Sequence, residues 1–203
     1  MKLICIGRNY SEHIKELKNT TPSDPVVFIK PDTSVLNIEQ GFVIPEFSDD
    51  VHYEVELILK INKVGKYIDK KFAHKYYDQI GLGIDFTARD LQEQLKKQGL
   101  PWEKAKSFDG AAVVGNFLPK EEFADLDNIQ FSLQKNEEIV QQGNSKDMIW
   151  NFDALIAYVS QYFTLKTGDV IFTGTPAGVG RVAMGDILKG YIGDTEMFSV
   201  KVK

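Results

Sequence analysis

The segment His52-Tyr53-Glu54-Val55-Glu56-Leu57-Ile58-Leu59 sets two carboxylates two residues apart inside an apolar run. On a β-strand successive side chains point to opposite faces, so Glu54 and Glu56 share one face, opposite Val55 and Leu57. Their Cα atoms would lie about 7 Å apart, close enough for both carboxylates to grip one cation. An exposed strand face would also carry such residues. However, Ile58, Leu59 and Ile61 continue the strand over 53–61 without polar alternation, which predicts a central, buried position. Like charges there repel unless a cation or proton sits between them. Asp85 ends the apolar strand at 81–84, immediately before a helical pattern over 87–97. It is placed either to cap that helix or to supply a third ligand. Three carboxylates and no cysteine ligand suit hard, oxygen-liking ions: Mg²⁺, Mn²⁺ or Ca²⁺.

Two further groups carry chemistry. His13 and Glu16 stand three apart on a short helix over 11–18 and so share a face. Glu16 can orient the imidazole and stabilise its cation, making His13 a tuned general base, whereas a plain exposed pair would do nothing. Lys106 lies among Trp102, Ala105 and Phe108, where partial desolvation would make it an electrophilic stabiliser of an oxyanion or enolate; Lys104 reads as a surface lysine. The run Gly174-Thr175-Pro176-Ala177-Gly178-Val179-Gly180 has the form of an anion loop, since glycines let backbone N–H groups approach a ligand. It lacks the Gly-Lys-Ser/Thr ending of a Walker loop and the third glycine and helix of a dinucleotide fingerprint. Tight turns alone would also explain it.

The elements that must position these groups are mostly strands. Short apolar runs at 3–6 and 26–29, the second a buried strand stopped by Lys30-Pro31, precede the acidic segment. Residues 72–80 have a helical pattern, and 129–134 and 139–142 form a hairpin around 135–138. Phe152, Leu155, Ile156, Val159 and Phe163 make a helical stripe capped by Asn151. From 169 to 202 short strands are punctuated by glycine. Turns rather than crossover helices join the strands, which predicts an α+β, mainly β layout. With 203 residues, 43% hydrophobic, and no repeat or linker, one domain over 1–203 is the reading. A net charge of −5 argues against nucleic acid. No apolar run approaches the roughly 20 residues of a membrane span, and Arg8 cuts short any signal peptide, so a cytoplasmic protein is expected. Cys5, the single cysteine, reads as a buried structural thiol and excludes an internal disulfide.

Taken in order, the motifs are Gly7-Arg8-Asn9-Tyr10-x-x-His13-x-x-Glu16, Phe28-x-Lys30-Pro31, Tyr53-Glu54-x-Glu56-Leu57, Asp85-Phe86-Thr87-Ala88-Arg89-Asp90-x-Gln92, Gly99-Leu100-Pro101-Trp102, Ala105-Lys106-Ser107-Phe108-Asp109 and Thr173-Gly174-Thr175-Pro176-x-Gly178-Val179-Gly180. This ordered set resembles the fumarylacetoacetate hydrolase family over nearly the whole chain, and the compact length resembles its acylpyruvate hydrolase and oxaloacetate decarboxylase branch. The resemblance implies a mixed β-sandwich roll, a homodimer, and one divalent ion on Glu54, Glu56 and Asp85 that is chelated by a small 2-oxo acid. It also implies a His13–Glu16 dyad on a lid, Lys106 as the active-site lysine, and substrate contacts from Arg8, Gln92 and Thr175. The expected reaction is hydrolysis of the C–C bond of acylpyruvate-type 2,4-dioxo acids by water that His13 activates. The same electron sink would serve an oxaloacetate decarboxylase, or keto–enol and 2-hydroxymuconate/heptadienedioate-type isomerisation. A non-catalytic metal-carboxylate binder is the competing class, but mere binding needs no base dyad.

Overall fold

Runs of β-branched and aromatic residues, cut by glycine-bearing turns, build three sheets in the structure, a computed structural model that describes residues 1–16, 20 and 22–203. In chain order the elements are β1 (Leu3–Gly7), α1 (Ser11–Glu16), β2 (Val26–Lys30), β3 (Val51–Tyr53), β4 (Val55–Ile61), α2 (Lys70–Ala73), β5 (Tyr77–Asp85), β6 (Thr87–Ala88), α3 (Arg89–Gln98), α4 (Glu103–Lys106), β7 (Ala112–Pro119), β8 (Gln130–Lys135), β9 (Glu138–Asn144), α5 (Phe152–Tyr162), β10 (Val170–Phe172), β11 (Gly180–Arg181), β12 (Ile187–Ile192) and β13 (Thr195–Lys201). The six-stranded sheet runs β2-β1-β10-β4-β5-β7, and β1 and β10 are its parallel pair. A four-stranded sheet, β13-β12-β8-β9, lies against it through β12 and β13 over β5 and β7. A small third sheet, β11-β3-β6, flanks the end of β4 and β5. The mixed, mainly β layout with few helices is the one the sequence predicts.

Central position explains the apolar density of β4. Val55, Leu57, Ile58, Leu59 and Ile61 are buried on both faces because β10 and β5 pair with either edge and sheet or helix covers each side. The helix expected at 87–97 forms at Arg89–Gln98 and ends on Gly99, whose φ of 66° suits a residue without Cβ. The Asn151 side chain caps α5 by accepting from the Ala154 N–H at 3.1 Å. The β8–β9 hairpin turns on Asn136 and Glu137, both at positive φ.

Four expectations need correction. The strand read over 53–61 is broken at Glu54, where the chain leaves the small sheet (β3) and enters the large one (β4). The helical pattern over 72–80 yields only one turn, α2; from Tyr77 onward, ladders to β4 and β7 outweigh the local periodicity. The strand at 26–29 is an edge strand, so Val26 to Ile29 are half-buried, while Lys30 at its end is fully enclosed. Asp85 caps no helix: Thr87 and Ala88 pair with β3 before α3 begins. The helix read over 11–18 is seen through Glu16; positions 17 and 18 fall outside the described residues. No helix among the described residues is long and apolar enough to cross a membrane.

Candidate active site

The site forms where two neighbouring strands change sheets together. Val55 pairs with Ile84 and Glu56 with Gly83 in the β4–β5 ladder. One step further the Asp85 N–H donates to the Glu54 carbonyl at 2.9 Å, and beyond that Thr87 and Ala88 take up pairing with β3. Residues facing each other across an antiparallel pair share a face, so Glu54, Glu56 and Asp85 converge. One carboxylate oxygen from each lies within 4.8 Å of the other two, and all three residues are buried. Gly83, opposite Glu56, lets the Phe172 ring and the Val113 backbone pack closely there. A Cβ there would come within 2.4 Å of the Val113 carbonyl and 2.8 Å of the Phe172 ring.

Three buried cations meet this charge. The Lys106 ammonium donates to Glu54 at 2.8 Å, Asp85 at 2.7 Å and the Thr87 hydroxyl at 2.6 Å. Arg89 forms a short ion pair with Glu54 and donates to Gln92 Oε1 at 2.7 Å. Lys30 Nζ sits 2.7 Å from Asp85 Oδ1 and also donates to the carbonyls of Lys106 and, at 3.0 Å, Ala111. Burial acts to raise the Glu54 pKa, but Lys106 and Arg89 outweigh it and hold the carboxyl well below its ordinary range. For Lys106 burial pulls the other way, yet Asp85 and Glu54 keep the ammonium above its usual value. It therefore stays charged.

Glu56 differs. Among the described residues it has no ion-pair partner, and its Oε2 accepts only the Gly174 N–H, at 2.7 Å. Burial, then the charges of Asp85 and Glu54, push its carboxyl well above the ordinary range. Asp85 Oδ1, enclosed beside Lys30, lacks an aligned hydrogen-bond donor. A carboxyl in need of a countercharge, clustered with two further carboxylates, is a donor set that fits a hard divalent ion.

The dyad is brought to the same place. His13 is 6% exposed, and its Nδ1 lies 3.3 Å from Glu16 Oε2, so the plain exposed pair is ruled out for the imidazole. Burial lowers the His13 pKa against the raising effects of Glu54 and Glu16. Glu16 Oε1 accepts the Gly178 N–H at 3.0 Å. The glycine-rich run is thus an anion loop in the literal sense, but its N–H groups from Gly174 and Gly178 hold two of the protein's own carboxylates, Glu56 and Glu16. Gly178 sits at φ 99°, and a Cβ there would meet the Val140 carbonyl at 2.5 Å. The Thr175 hydroxyl donates to the Val55 carbonyl and accepts from Gln141, both at 2.9 Å, so it also braces the loop against β4.

One cleft, enclosing about 450 Å³ with its open mouth included, gathers Arg8, His13, Glu54, Glu56, Asp85, Gln92, Lys106 and Thr175 on its walls. Glu16 stands behind His13. Lys30, Arg89 and Gln141 carry structural roles here that reading by residue chemistry passed over. Lys30 and Arg89 did lie inside the ordered motifs, and Arg89 with Gln92 has helical i, i+3 spacing. Gln141 gave no signal. Cys5 is fully buried, its thiol pushed up first by burial and then by Asp85.

The family model for "Fumarylacetoacetate (FAA) hydrolase C-terminal" matches residues 2–201. The chain is 44% identical over 188 residues to oxaloacetate tautomerase YcgM of Escherichia coli (strain K12), covering 92% of this chain and 86% of that one. It is 42% identical over 199 residues to a mitochondrial oxaloacetate decarboxylase of Dictyostelium discoideum, covering 97% and 91%. Among solved structures, fumarylpyruvate hydrolase from Pseudomonas aeruginosa in complex with Mn²⁺ and pyruvate superposes with a TM-score of 0.92 at 33% identity, covering 100% of this chain and 89% of that one. By the extent of that match and these identities, the chain belongs to the fumarylacetoacetate hydrolase C-terminal family.

Proposed function

We propose that this protein is a divalent-metal-dependent oxaloacetate tautomerase, interconverting keto and enol forms. The observation that carries the reading is the meeting, in one small cleft, of the three clustered carboxylates, a neutral buried imidazole and a buried ammonium. Tautomerisation needs a base, an oxyanion stabiliser and no hydrolytic water. Oxaloacetate tautomerase and decarboxylase relatives at 44% and 42% identity favour it over the acylpyruvate hydrolysis expected from sequence. Decarboxylation is the second reading, favoured by the Dictyostelium relative, because it uses the same stabilisation of charge at the C2 oxygen.

Glu54, Glu56 and Asp85 would hold the ion, and a divalent ion there supplies Lewis acidity and a template for the 2-oxo acid group. Lys106 directs its charge at the C2 oxygen as negative charge develops there. Because its pKa is raised, it acts as an electrostatic stabiliser and keeps its proton. His13 removes the proton from C3 as the C2–C3 double bond forms, and Glu16 steadies the imidazolium. The same imidazolium then returns the proton to the C2 oxygen, which completes the isomerisation without a co-reactant. Gln92 orients the substrate from α3, itself held by Arg89, which donates to its Oε1. The direct test follows enol absorbance in oxaloacetate. Chelator-treated protein should lose turnover and regain it with Mg²⁺ or Mn²⁺; full turnover after chelation would refute the reading.

The acidic limb of kcat/KM should report His13. Its folded pKa lies below the ordinary 6.5, so the neutral base persists as pH falls through that value, and the limb should lie below pH 6.5 at saturating Mg²⁺. Glu16 raises the His13 pKa by its hydrogen bond and its charge. In Glu16→Gln the limb should therefore move to still lower pH. A limb that stays put in that variant would detach the profile from His13.

A further inference from the structure

We infer that Gln141 is a positioning residue that fixes the peptide between Glu54 and Glu56 and thereby sets the spacing of two metal-holding carboxylates. This rests on the metal reading above. Val55 stands between the two glutamates, where the chain changes sheets. Along an antiparallel strand the backbone groups of successive residues point to opposite edges. The Glu54 carbonyl faces β5, where it accepts the Asp85 N–H at 2.9 Å, and the Leu57 carbonyl faces β10, where it accepts the Thr173 N–H at 3.1 Å. Val55 faces the β10 edge too, but that strand ends at Phe172. Side chains take its place there. The Val55 N–H donates to Gln141 Oε1, and the Val55 carbonyl accepts the Thr175 hydroxyl, both at 2.9 Å.

The direction of every proton in this contact follows from groups that have one role. The Val55 N–H can only donate and the Pro176 carbonyl can only accept, so Gln141 turns Oε1 to the former and Nε2 to the latter, at 3.0 Å. The second Nε2 hydrogen goes to Thr175 Oγ1 at 2.9 Å. That leaves the single hydroxyl proton of Thr175 for the Val55 carbonyl. Gln141, Thr175 and the Val55 backbone thus close one ring in which each donor has an acceptor. The loop that carries Thr175 also delivers the Gly174 N–H to Glu56 Oε2 at 2.7 Å. One buried side chain from β9 therefore holds both the backbone between two carboxylates and the loop that orients one of them. A shift of the Val55 peptide moves Glu54 and Glu56 together, because they are its chain neighbours. Groups that orient metal-ligating side chains are worth about 10–100-fold in metal affinity.

The test titrates Mn²⁺ into metal-free protein by calorimetry. Gln141→Met is close in volume but makes none of the three hydrogen bonds, and it should raise the Kd for Mn²⁺ by about tenfold. Thr175→Val breaks the same ring at its other member and should raise the Kd as well. The double variant should lose less than the product of the two, because both side chains hold one peptide. A side chain that only braces the fold would lower the metal-free Tm and leave the Kd unchanged. That result in both single variants would overturn the positioning role, and Thr175→Val decides alone if Gln141→Met does not fold. Absence of Mn²⁺ binding by the wild type would count against the metal reading instead. Crystal structures of metal-free wild type and Gln141→Met then decide the inference. Oxygens of Glu54, Glu56 and Asp85 spread beyond their 4.8 Å spacing in the variant would uphold it, and an unchanged cluster would overturn it.

Discussion

Lys106→Met is expected to lower kcat on oxaloacetate by roughly 10²–10³, the usual cost of removing one preorganised donor to a developing oxyanion. Methionine keeps much of the length and volume but takes away the charge that touches Glu54, Asp85 and Thr87. The group is 3% exposed, so water cannot replace it. A second effect follows from the same geometry. With the ammonium gone, Glu54 retains Arg89 and Asp85 retains Lys30, and both carboxylates are under-neutralised in a buried setting. Removing one partner of a buried ion pair costs about 3–5 kcal/mol, and a bound divalent ion recovers part of that by mass action. The variant should therefore melt below wild type without metal and show a larger rise in Tm on adding Mg²⁺. A normal kcat together with a lowered Tm would assign Lys106 to structure alone.

His13→Ala should lower tautomerisation by roughly 10²–10⁴, the worth of a positioned general base. Decarboxylation of the same substrate should fall less, because the group that leaves C3 is carbon dioxide rather than a proton. The ratio of the two rates thus separates a base from a residue that merely closes the cleft. Added imidazole should recover tautomerisation, since the deletion leaves space beside Glu16, whose other oxygen remains anchored on the Gly178 N–H. Equal loss of both reactions without rescue would make His13 a closing element. No loss in either would remove it from the chemistry.

Much of this site was legible because its signals are local. Period-2 alternation sets Glu54 and Glu56 on one face whatever surrounds them, and an i, i+3 pair on a helix sets Glu16 beside His13. An apolar run ending in Asp85 announced a strand end, and the ordered motifs tied these pieces to one family and its mainly β fold. Chemistry alone left the reaction open, because one electron sink serves hydrolysis, decarboxylation and tautomerisation alike; relatives at 44% and 42% identity moved the reading toward oxaloacetate.

What tertiary structure decided is long-range. Aromatic spacing at 72–80 predicts a helix, but strand ladders from β4 and β7 claim Tyr77 to Asp85, since backbone pairing on both edges outweighs weak intrinsic preference. The break at Glu54 depends on which strands are available to pair on each side of it. Lys30 reaches Asp85 across 55 positions of sequence, and the glycine loop reaches Glu56 across 118. The sequence by itself determined which carboxylates face one way, because alternation is a property of the backbone. Only the folded chain decided how those carboxylates are neutralised, because a charge in a low-dielectric interior is set by whatever distant groups the fold brings against it.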